Sequence, residues 1–475
     1  MKKCTALIFA LIIFLTVQLP VYAEGYDIPE ELGLASQSVY CINLDTGDVV
    51  CEKDADTPRS VASLTKMMTA LLLIENVEDL DGTTVTAPVE IYEPPITGSG
   101  ASLADIRPYE TVTARTLLYA MMLPSGNEAA AITGYLVGNG SRENFYAMMN
   151  ARAKELGCTN TNFVCEHGLL DMDEGNYSTA HDLALIAEAC WQYDVFREVV
   201  TSTEYWMPFT NIHTQAEKPE LNPNAAYPIY STVYIQKPTS AIYRSYIRGI
   251  KTGSTEDAGR CLATAAVNDK GETYLLVVLG SPYDAVDEQG YALSFSDTAA
   301  IYDWIFDTYS VQPALDTTSP IQEVKVTLSS ETDTVQLYPA EDIRAVLPQD
   351  GDFSALVKTY DIPESVEAPI EKGQQIGTMT LTLNGTEIGT VALVAGTDVS
   401  RNSLLHFFNL LGDFFMSTYF KVVVVLTVLF LAAYAAIYLW AKREEQKRRA
   451  AKRRRRQQEL ERMQREYRYR GGDES

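Results

Sequence analysis

An apolar run from Met67 to Ile74 constrains the fold more than any other stretch of this 475-residue chain. Its residues favour helices and no Gly or Pro interrupts it before Gly82, so we expect a buried helix with Ser60 near its N-cap. Positions three apart on a helix lie on one face. Ser63 and Lys66 therefore point the same way from the first turn, where the helix dipole favours negative charge.

This pair has the composition of a nucleophile and its base. A serine hydroxyl is a poor nucleophile until a neighbouring base takes its proton. A lysine amine that burial or nearby positive charge keeps neutral is able to act as that base. We therefore treat Ser63 and Lys66 as candidate catalytic residues. Ser-x-x-Lys alone has a second interpretation, a helix that carries a solvated lysine.

A second polar group precedes another apolar helix. Ser125 and Glu128 have the spacing of a capping box, so one interpretation is that Ser125 caps this helix and has no other role. In the other interpretation, Ser125 and Asn127 lie at the edge of a cleft, where the hydroxyl relays protons and the amide holds a substrate carbonyl. The pattern by itself leaves both interpretations open.

A third group lies on a predicted strand that ends at Ser254. Two further strands are expected at Cys261–Val267 and Tyr274–Leu279, so the three form an antiparallel meander. On the first strand, Gly253 lets a substrate lie close to the backbone. Lys251 and Thr252 are able to bind a carboxylate by charge and hydrogen bond.

The remaining patterns in the first 310 residues predict a β-hairpin and several helices. The hairpin spans Ser38 to Glu52, directly before the Ser63 helix, which places the candidate serine beside a sheet. Helices are predicted at Ala114–Met122, Arg142–Leu156, Thr179–Tyr193 and Phe295–Tyr309. We interpret His167, in a loop, as a structural histidine, because no Ser-His-Asp arrangement is visible.

The N-terminus indicates export. A positive start, Met1–Lys3, precedes an apolar core and a small-x-small site that ends at Ala23, which predicts a secretory signal peptide over residues 1–23. An uncleaved anchor is the alternative. Six cysteines remain after cleavage, and Cys41 with Cys51 or Cys158 with Cys165 are placed to form bridges, although buried thiols are the simpler interpretation. No Cys/His spacing matches a metal site, so we expect no metal.

The C-terminal third predicts a β domain followed by a membrane anchor. Alternating runs over 311–400 indicate an all-β sandwich. Residues 401–420 have the composition of an interfacial amphipathic segment, and 421–441 that of a transmembrane helix. The tail, 442–475, is basic and is expected in the cytoplasm by the positive-inside rule.

Charge separates the tail from the body of the chain. Residues 441–475 carry a net charge of +7, although the whole chain carries −25. An acidic body argues against nucleic-acid binding, so lipid contact and membrane topology account for the basic run.

Taken in order, Ser63-Leu64-Thr65-Lys66, Ser125-Gly126-Asn127 and Lys251-Thr252-Gly253 resemble the SxxK, SxN and KTG motifs of penicillin-binding proteins and serine β-lactamases. The flanking residues, Leu118–Ala130 and Gly249–Gly253, look like the low-molecular-mass D-alanyl-D-alanine carboxypeptidases. The resemblance covers roughly Ser38 to Tyr309 and extends more weakly to Lys372–Ala395.

The resemblance implies a fold of the α/β (α+β) class. We expect a β-lactamase/transpeptidase-like catalytic domain over 24–310, in which helices flank an antiparallel sheet. A small all-β sandwich domain and a C-terminal transmembrane helix follow it. Implied partners are a peptidoglycan stem peptide that ends in D-Ala-D-Ala, β-lactam antibiotics as covalent inhibitors, and the membrane. No cofactor is implied.

The same resemblance implies a role for each motif residue. Ser63 attacks the carbonyl between the two D-alanines, Lys66 takes its proton, and Ser125 relays a proton to the departing D-alanine. Asn127 orients the acyl part, and Lys251 and Thr252 hold the terminal carboxylate. The backbone N–H groups of Ser63 and Ser254 form the oxyanion hole.

One departure from the family pattern concerns carboxylate recognition. Many relatives carry an arginine shortly after the strand that here ends at Gly280, whereas this chain has none between Arg260 and Arg344. Recognition then rests on Lys251 and Thr252, or on Arg248. The departure also supports a non-catalytic wall-binding scaffold as an alternative. A β-lactamase is a further alternative, although no residue that we can place supplies a dedicated deacylating glutamate.

Overall fold

The computed structural model of the chain describes residues 25–97, 100–214 and 224–470. The predicted signal peptide, residues 1–23, lies outside the described residues. The chain divides into two compact units. The larger takes in the described residues up to Ser319, with Tyr338–Ile362 and Gly377–Leu393; the smaller takes in Pro320–Leu337, Pro363–Ile376 and the described residues from Val394 onward.

A five-stranded antiparallel sheet forms the centre of the larger unit. Its strands are β1 (Ser38–Asn43), β2 (Val49–Lys53), β7 (Ile247–Thr255), β8 (Gly259–Val267) and β9 (Thr273–Ser281), in the order β2-β1-β9-β8-β7. The predicted hairpin and meander are therefore confirmed, and β9 joins them by pairing with β1. Leu275 and Val277 enter one hydrophobic core while Leu276 and Val278 enter the other, which explains an uninterrupted apolar strand.

Helices cover both faces of this sheet. They are α1 (Lys66–Asn76), α2 (Ala114–Met122), α3 (Asn127–Val137), α4 (Arg142–Glu155), α5 (Ala180–Trp191), α6 (Asp194–Thr201) and α7 (Leu293–Thr308). On one face α5 packs against β1 and β9, and on the other α7 packs against β8 and β9. Helix α1 contacts α2, α3 and α5, so the apolar run is buried on all sides, as predicted.

Two short ribbons lie outside the main sheet. Strands β3 (Thr84–Thr86) and β4 (Thr111–Thr113) pair with each other, as do β5 (Glu204–Met207) and β6 (Tyr227–Tyr230). The second ribbon belongs to the Pro-, Asn- and Tyr-rich excursion between α6 and β7. It brings Thr232 and Tyr234 next to β7, where both line the cleft described below.

The region after α7 is built of β-strands, as the sequence predicts. They are β10 (Tyr309–Pro313), β11 (Gln322–Thr327), β12 (Thr334–Pro339), β13 (Arg344–Pro348), β14 (Leu356–Asp361), β15 (Ser365–Glu367), β16 (Gln375–Leu383) and β17 (Thr386–Ala395). Within the larger unit, β10 pairs with β13 and β14 with β16, both antiparallel. In the smaller unit, β11 pairs with β15 in parallel. The sandwich arrangement itself stays a prediction.

The smaller unit ends in two helices, α8 (Ser403–Met416) and α9 (Thr418–Arg470). Asn402 caps α8, since its side chain accepts hydrogen bonds from the backbone N–H groups of Leu404 and Leu405. Helix α9 has the length and apolar composition needed to cross a membrane. The predicted transmembrane segment and the basic tail up to Arg470 therefore form one continuous helix.

Candidate active site

Ser63 lies on a tight 3-10 turn, Ala62–Thr65, and α1 begins only at Lys66. The 3-10 geometry has three residues per turn, so side chains at positions i and i+3 eclipse each other. This brings Lys66 Nζ within 2.9 Å of Ser63 Oγ. The predicted shared face is thus correct, although the first turn of the expected helix is not α-helical.

Ser60 lies one residue before the N-cap of the turn that opens this helix, as predicted, but its side chain does not cap the helix. The residue before the turn is Val61, which makes no side-chain cap. The Ser60 hydroxyl instead bonds the carboxylate of Asp257 and accepts a hydrogen bond from the backbone N–H of Met172 at 2.8 Å. Ser60 therefore ties the segment before Ser63 to two distant loops, and no local sequence rule predicts those partners.

The amine of Lys66 is completely buried and has three polar neighbours. Besides Ser63 Oγ, they are Asn127 Oδ1 at 2.7 Å and the backbone carbonyl of His167 at 2.6 Å. Burial lowers the pKa of Lys66 to about 7. The two carbonyl-type oxygens only accept hydrogen bonds, so a neutral amine donates both of its N–H bonds to them. Its lone pair then faces the Ser63 hydroxyl, which is the arrangement of a general base.

His167 contributes its carbonyl, a group that sequence reasoning did not assign to the site. Its ring is 1% exposed, and burial lowers the pKa of the imidazole to about 4, so the ring is neutral. Nδ1 accepts a hydrogen bond from the backbone N–H of Leu169 at 3.0 Å. The structural interpretation of the ring is therefore appropriate, and the functional contact comes from the main chain.

The turn that carries Ser63, Ala62–Thr65, begins with a strained backbone. Ala62, directly before Ser63, has φ of 46°, a left-handed conformation that non-glycine residues rarely adopt. A side chain at Gly168 would begin 1.9 Å from the carbonyl oxygen of Ala62. Only glycine allows the His167 loop to lie this close to the turn. Strain of this kind persists where the surrounding structure imposes it, typically at functional sites.

The capping interpretation of Ser125 is excluded by the start of α3. The helix begins at Asn127, its N-cap is Gly126, and no side chain caps it. Ser125 has φ of 67° and is 5% exposed, yet it lines the cleft together with Ser63. The strained backbone therefore directs this residue to the cleft edge, as the alternative interpretation predicts.

Glu128 and Asn127 fix the loop that faces Ser63. The Glu128 carboxylate accepts hydrogen bonds from the backbone N–H groups of Ala104 at 2.6 Å and Ile106 at 3.3 Å, and its burial raises its pKa to about 7. Asn127 Nδ2 donates to the carbonyl of Ser102 at 3.0 Å, while its Oδ1 accepts from Lys66. Asn127 therefore has both ends of its amide committed in this state.

The predicted carboxylate-binding strand is β7, at the edge of the sheet. Lys251 is completely buried, and its Nζ donates to the carbonyl of Thr252 at 2.9 Å. Burial, reinforced by the charge of Lys66, holds the pKa of Lys251 well below its usual value. The hydroxyl of Thr252 lies 2.6 Å from that of Thr232, and Thr252 lines the cleft.

The structure gives a second steric reason why residue 253 is a glycine. A side chain at this position would begin 2.9 Å from the carbonyl oxygen of Val61 and 3.4 Å from Cβ of Ala62. The glycine therefore lets β7 lie against the Ala62–Thr65 turn, in addition to lining the cleft. Ser254, the next residue, also lines the cleft, and its hydroxyl accepts a hydrogen bond from Arg260 Nη1 at 2.8 Å.

These groups surround a cavity of about 370 Å³. The described residues that line it come from all three motif regions and from the segment between β9 and α7: Ser63, Ser102, Ser125, Thr232, Tyr234, Thr252, Gly253, Ser254, Arg260, Cys261, Val286, Gly290, Tyr291, Ala292, Ser294 and Phe295. The lining combines hydroxyl groups, one guanidinium, aromatic rings and small side chains. The cavity therefore offers both polar and apolar contacts to a substrate.

The cysteines of the described residues are unpaired thiols. Cys41 and Cys51 lie directly opposite each other on β1 and β2, and all six cysteines beyond residue 24 are free and buried. Within residues 25–97, 100–214 and 224–470, no group of three His, Cys, Asp or Glu side chains is placed to hold a metal ion.

Comparison with known proteins identifies the family of this chain. A family model described as D-alanyl-D-alanine carboxypeptidase matches residues 27–282, and one described as penicillin-binding protein 5, C-terminal domain, matches residues 312–401. D-alanyl-D-alanine carboxypeptidase DacF of Bacillus subtilis (strain 168) is 26% identical over 377 residues, which cover 79% of this chain and 89% of the relative. D-alanyl-D-alanine carboxypeptidase DacC of Escherichia coli (strain K12) is 28% identical over 379 residues, covering 78% and 85%.

Solved structures support the fold. Penicillin binding protein 5 from Haemophilus influenzae aligns with a TM-score of 0.56 at 22% sequence identity, covering 79% of this chain and 100% of that chain. The resemblance predicted from the three motifs is confirmed, as is a catalytic domain followed by a C-terminal β domain.

Proposed function

Because the chain belongs to the D-alanyl-D-alanine carboxypeptidase family, whose members are serine hydrolases, we propose that Ser63 is its nucleophile and Lys66 the base that activates it. The substrate is a peptidoglycan stem peptide that ends in D-Ala-D-Ala. The observation that carries the proposal is the 2.9 Å contact between Ser63 Oγ and a completely buried amine whose other two neighbours are hydrogen-bond acceptors.

Acylation proceeds by transfer of the peptide carbonyl to the serine. Ser63 Oγ forms a bond to the carbonyl carbon and its proton passes to Lys66 Nζ. The backbone N–H groups of Ser63 and Ser254 stabilise the oxyanion, at about 3–4 kcal/mol for each donor. The carbon–nitrogen bond then breaks, and Ser125 relays a proton to the amine of the departing D-alanine.

Deacylation uses the same base, with water in place of the serine hydroxyl. Water adds to the acyl carbon and gives a proton to Lys66, and Ser63 recovers its hydroxyl hydrogen as the peptide acid leaves. Asn127 orients the acyl part, and Lys251 and Thr252 help to hold the terminal carboxylate. β-Lactam antibiotics acylate the same serine and act as covalent inhibitors.

The test compares the full-length chain in detergent with its Ser63→Ala variant, using a peptide that ends in D-Ala-D-Ala. We expect D-alanine release and a covalent penicillin adduct from the parent and neither from the variant. A parent that forms the adduct without releasing D-alanine would instead indicate a binding or scaffolding role. Release by the Ser63→Ala variant would reject the nucleophile.

We also propose that this enzyme is anchored at a membrane. We propose the organisation 1–23 signal peptide, 24–310 catalytic domain, 311–400 β-rich domain, 401–420 interfacial segment, 421–441 transmembrane helix and 442–475 basic cytoplasmic tail. The apolar stretch of α9 and the arginines that follow it support an anchor with the tail inside and the catalytic domain outside. Protease added to intact cells should digest the catalytic domain and spare a tag at the C-terminus; loss of the tag would reverse the topology.

A further inference from the structure

Arg260 enters the catalytic cavity from a strand that the motif pattern does not mark. It lies on β8, directly opposite Ser254 of β7 in the antiparallel register. Among the described residues that line the cavity, it carries the one charged side chain, and the others are hydroxyl-bearing, apolar, aromatic, cysteine or glycine residues.

The guanidinium of Arg260 is held in a fixed orientation. Nε donates to the carbonyl of Tyr283 at 3.0 Å, Nη1 donates to Ser254 Oγ at 2.8 Å, and the guanidinium carbon lies 4.5 Å from the centre of the Tyr283 ring. Three of the five N–H bonds have no partner among the described residues, and no carboxylate there lies within ion-pair distance. A half-buried, positioned guanidinium with spare donors is suited to a carboxylate ligand.

The other cations near the cleft are less suited to this role. Lys66 and Lys251 are completely buried, and neither is among the residues that line the cavity. Burial lowers the pKa of both amines, whereas a guanidinium stays charged at any physiological pH. Arg248 donates to the backbone carbonyls of Ser245 and Ile247, outside the cavity lining.

We propose that Arg260 binds the C-terminal carboxylate of the substrate and so selects peptides with a free acid end. The inference rests on the proposed function, because it assigns a specificity residue to that reaction. This chain has no arginine between Arg260 and Arg344, and Arg260 is the arginine that lines the cavity among the described residues. Ser254 and Thr252 lie beside it on β7, so one carboxylate oxygen is able to bond the guanidinium while the other bonds a β7 hydroxyl.

The test measures the preference for an acid end. Two peptides are compared on the full-length chain, one ending in D-Ala-D-Ala and one ending in D-Ala-D-alaninamide, which lacks the carboxylate. We expect Arg260→Gln to lower kcat/KM for the acid by about 100-fold, the usual scale for removing one partner of a charged pair, and to leave the amide rate unchanged. Equal losses on both peptides, or no loss on the acid, would overturn the proposal.

Two further variants keep the test decisive. Arg260→Lys retains the charge without the planar fork, so it should show a smaller loss that is again confined to the acid; this variant carries the test if Arg260→Gln fails to fold. The control is Arg248→Gln, which should leave the preference for the acid unchanged. If Arg248→Gln removes that preference while Arg260→Gln does not, carboxylate recognition belongs to Arg248 and the proposal is rejected.

A second probe separates this inference from the proposed function. Benzylpenicillin carries a carboxylate and its methyl ester does not, so their acylation rates report the same contact without D-alanine release. If the parent releases no D-alanine, the proposed function fails. A loss in Arg260→Gln that is confined to the penicillin acid would then still support the carboxylate contact, and an equal loss on the ester would reject it.

Discussion

The catalytic cleft and helix α9 depart from the usual distribution of side chains in opposite directions. Next to the cleft, Lys66 and Lys251 are completely buried, whereas on α9 large apolar side chains such as Phe430 and Trp440 are 72% and 67% exposed. A buried amine is tolerated when it loses its charge, and an exposed apolar surface is tolerated when another apolar medium covers it. Burial thus lowers the pKa of both lysines, which fits the proposed base, and exposure on α9 fits the proposed membrane anchor.

The largest effect is expected from a substitution that removes the buried amine of Lys66. Lys66→Gln has no group that can take the Ser63 proton, so we expect kcat/KM for D-alanine release to fall by a factor on the order of 10³. Thermal melting should show a folded protein. The control is Lys154→Gln, which removes an exposed lysine of α4 and should leave the rate unchanged. A loss of less than about tenfold in Lys66→Gln would mean that another group acts as the base.

The next largest effect is expected from a substitution on the exposed apolar surface of α9. A lysine at the centre of a membrane-spanning helix costs about 3 kcal/mol, so Leu429→Lys should reduce the fraction of protein that resists alkaline extraction from membranes. Leu429→Phe keeps the apolar surface and serves as the control. Turnover in detergent should be the same for both variants, because residue 429 lies in the smaller unit. Unchanged resistance in Leu429→Lys would argue against α9 as the anchor.

The smallest effect is a pH dependence of the cleft. Acylation needs neutral Lys66, whose pKa is about 7, so the rate of penicillin acylation should rise with pH up to about 7 and then level off. Below that point, each unit of pH should cost about tenfold. A rate that stays constant between about pH 5.5 and 8 would contradict the assigned base.

The free energy of unfolding should also depend on the protonation of Lys66, but over a higher pH range. The pKa of Lys66 is lowered from 10.5 to about 7 in the folded chain, so the unfolded chain binds more protons between those values. The contribution of Lys66 to the free energy of unfolding therefore rises with pH from about 7 to 10.5 and is lost as the pH falls through that window. Lys251, whose pKa is also lowered, acts in the same direction.

Much of the fold and part of the site follow from local patterns. The hairpin, the meander and the apolar α1 are predicted because period-2 and helical patterns report which faces are buried. The helix start predicted at Thr179 is confirmed, because Thr179 Oγ1 accepts a hydrogen bond from the backbone N–H of Asp182 at 3.0 Å and so caps α5. Ser60 caps no helix, and the capping-box interpretation of Ser125 and Glu128 is excluded, because contacts with distant loops outweigh the local rule.

By itself the sequence determined the order of the three motifs, the apolar stretch of α9 and the pairing of Ser63 with Lys66. These depend on residue types at short spacing, which a helical or strand period converts directly into a shared face. Only the tertiary structure decided the lowered pKa values of Lys66 and Lys251 and the position of Arg260 in the wall of the cavity. Both depend on residues far apart in the chain: the burial of Lys66 against the His167 loop lowers its pKa, and the β7–β8 register brings Arg260 beside Ser254.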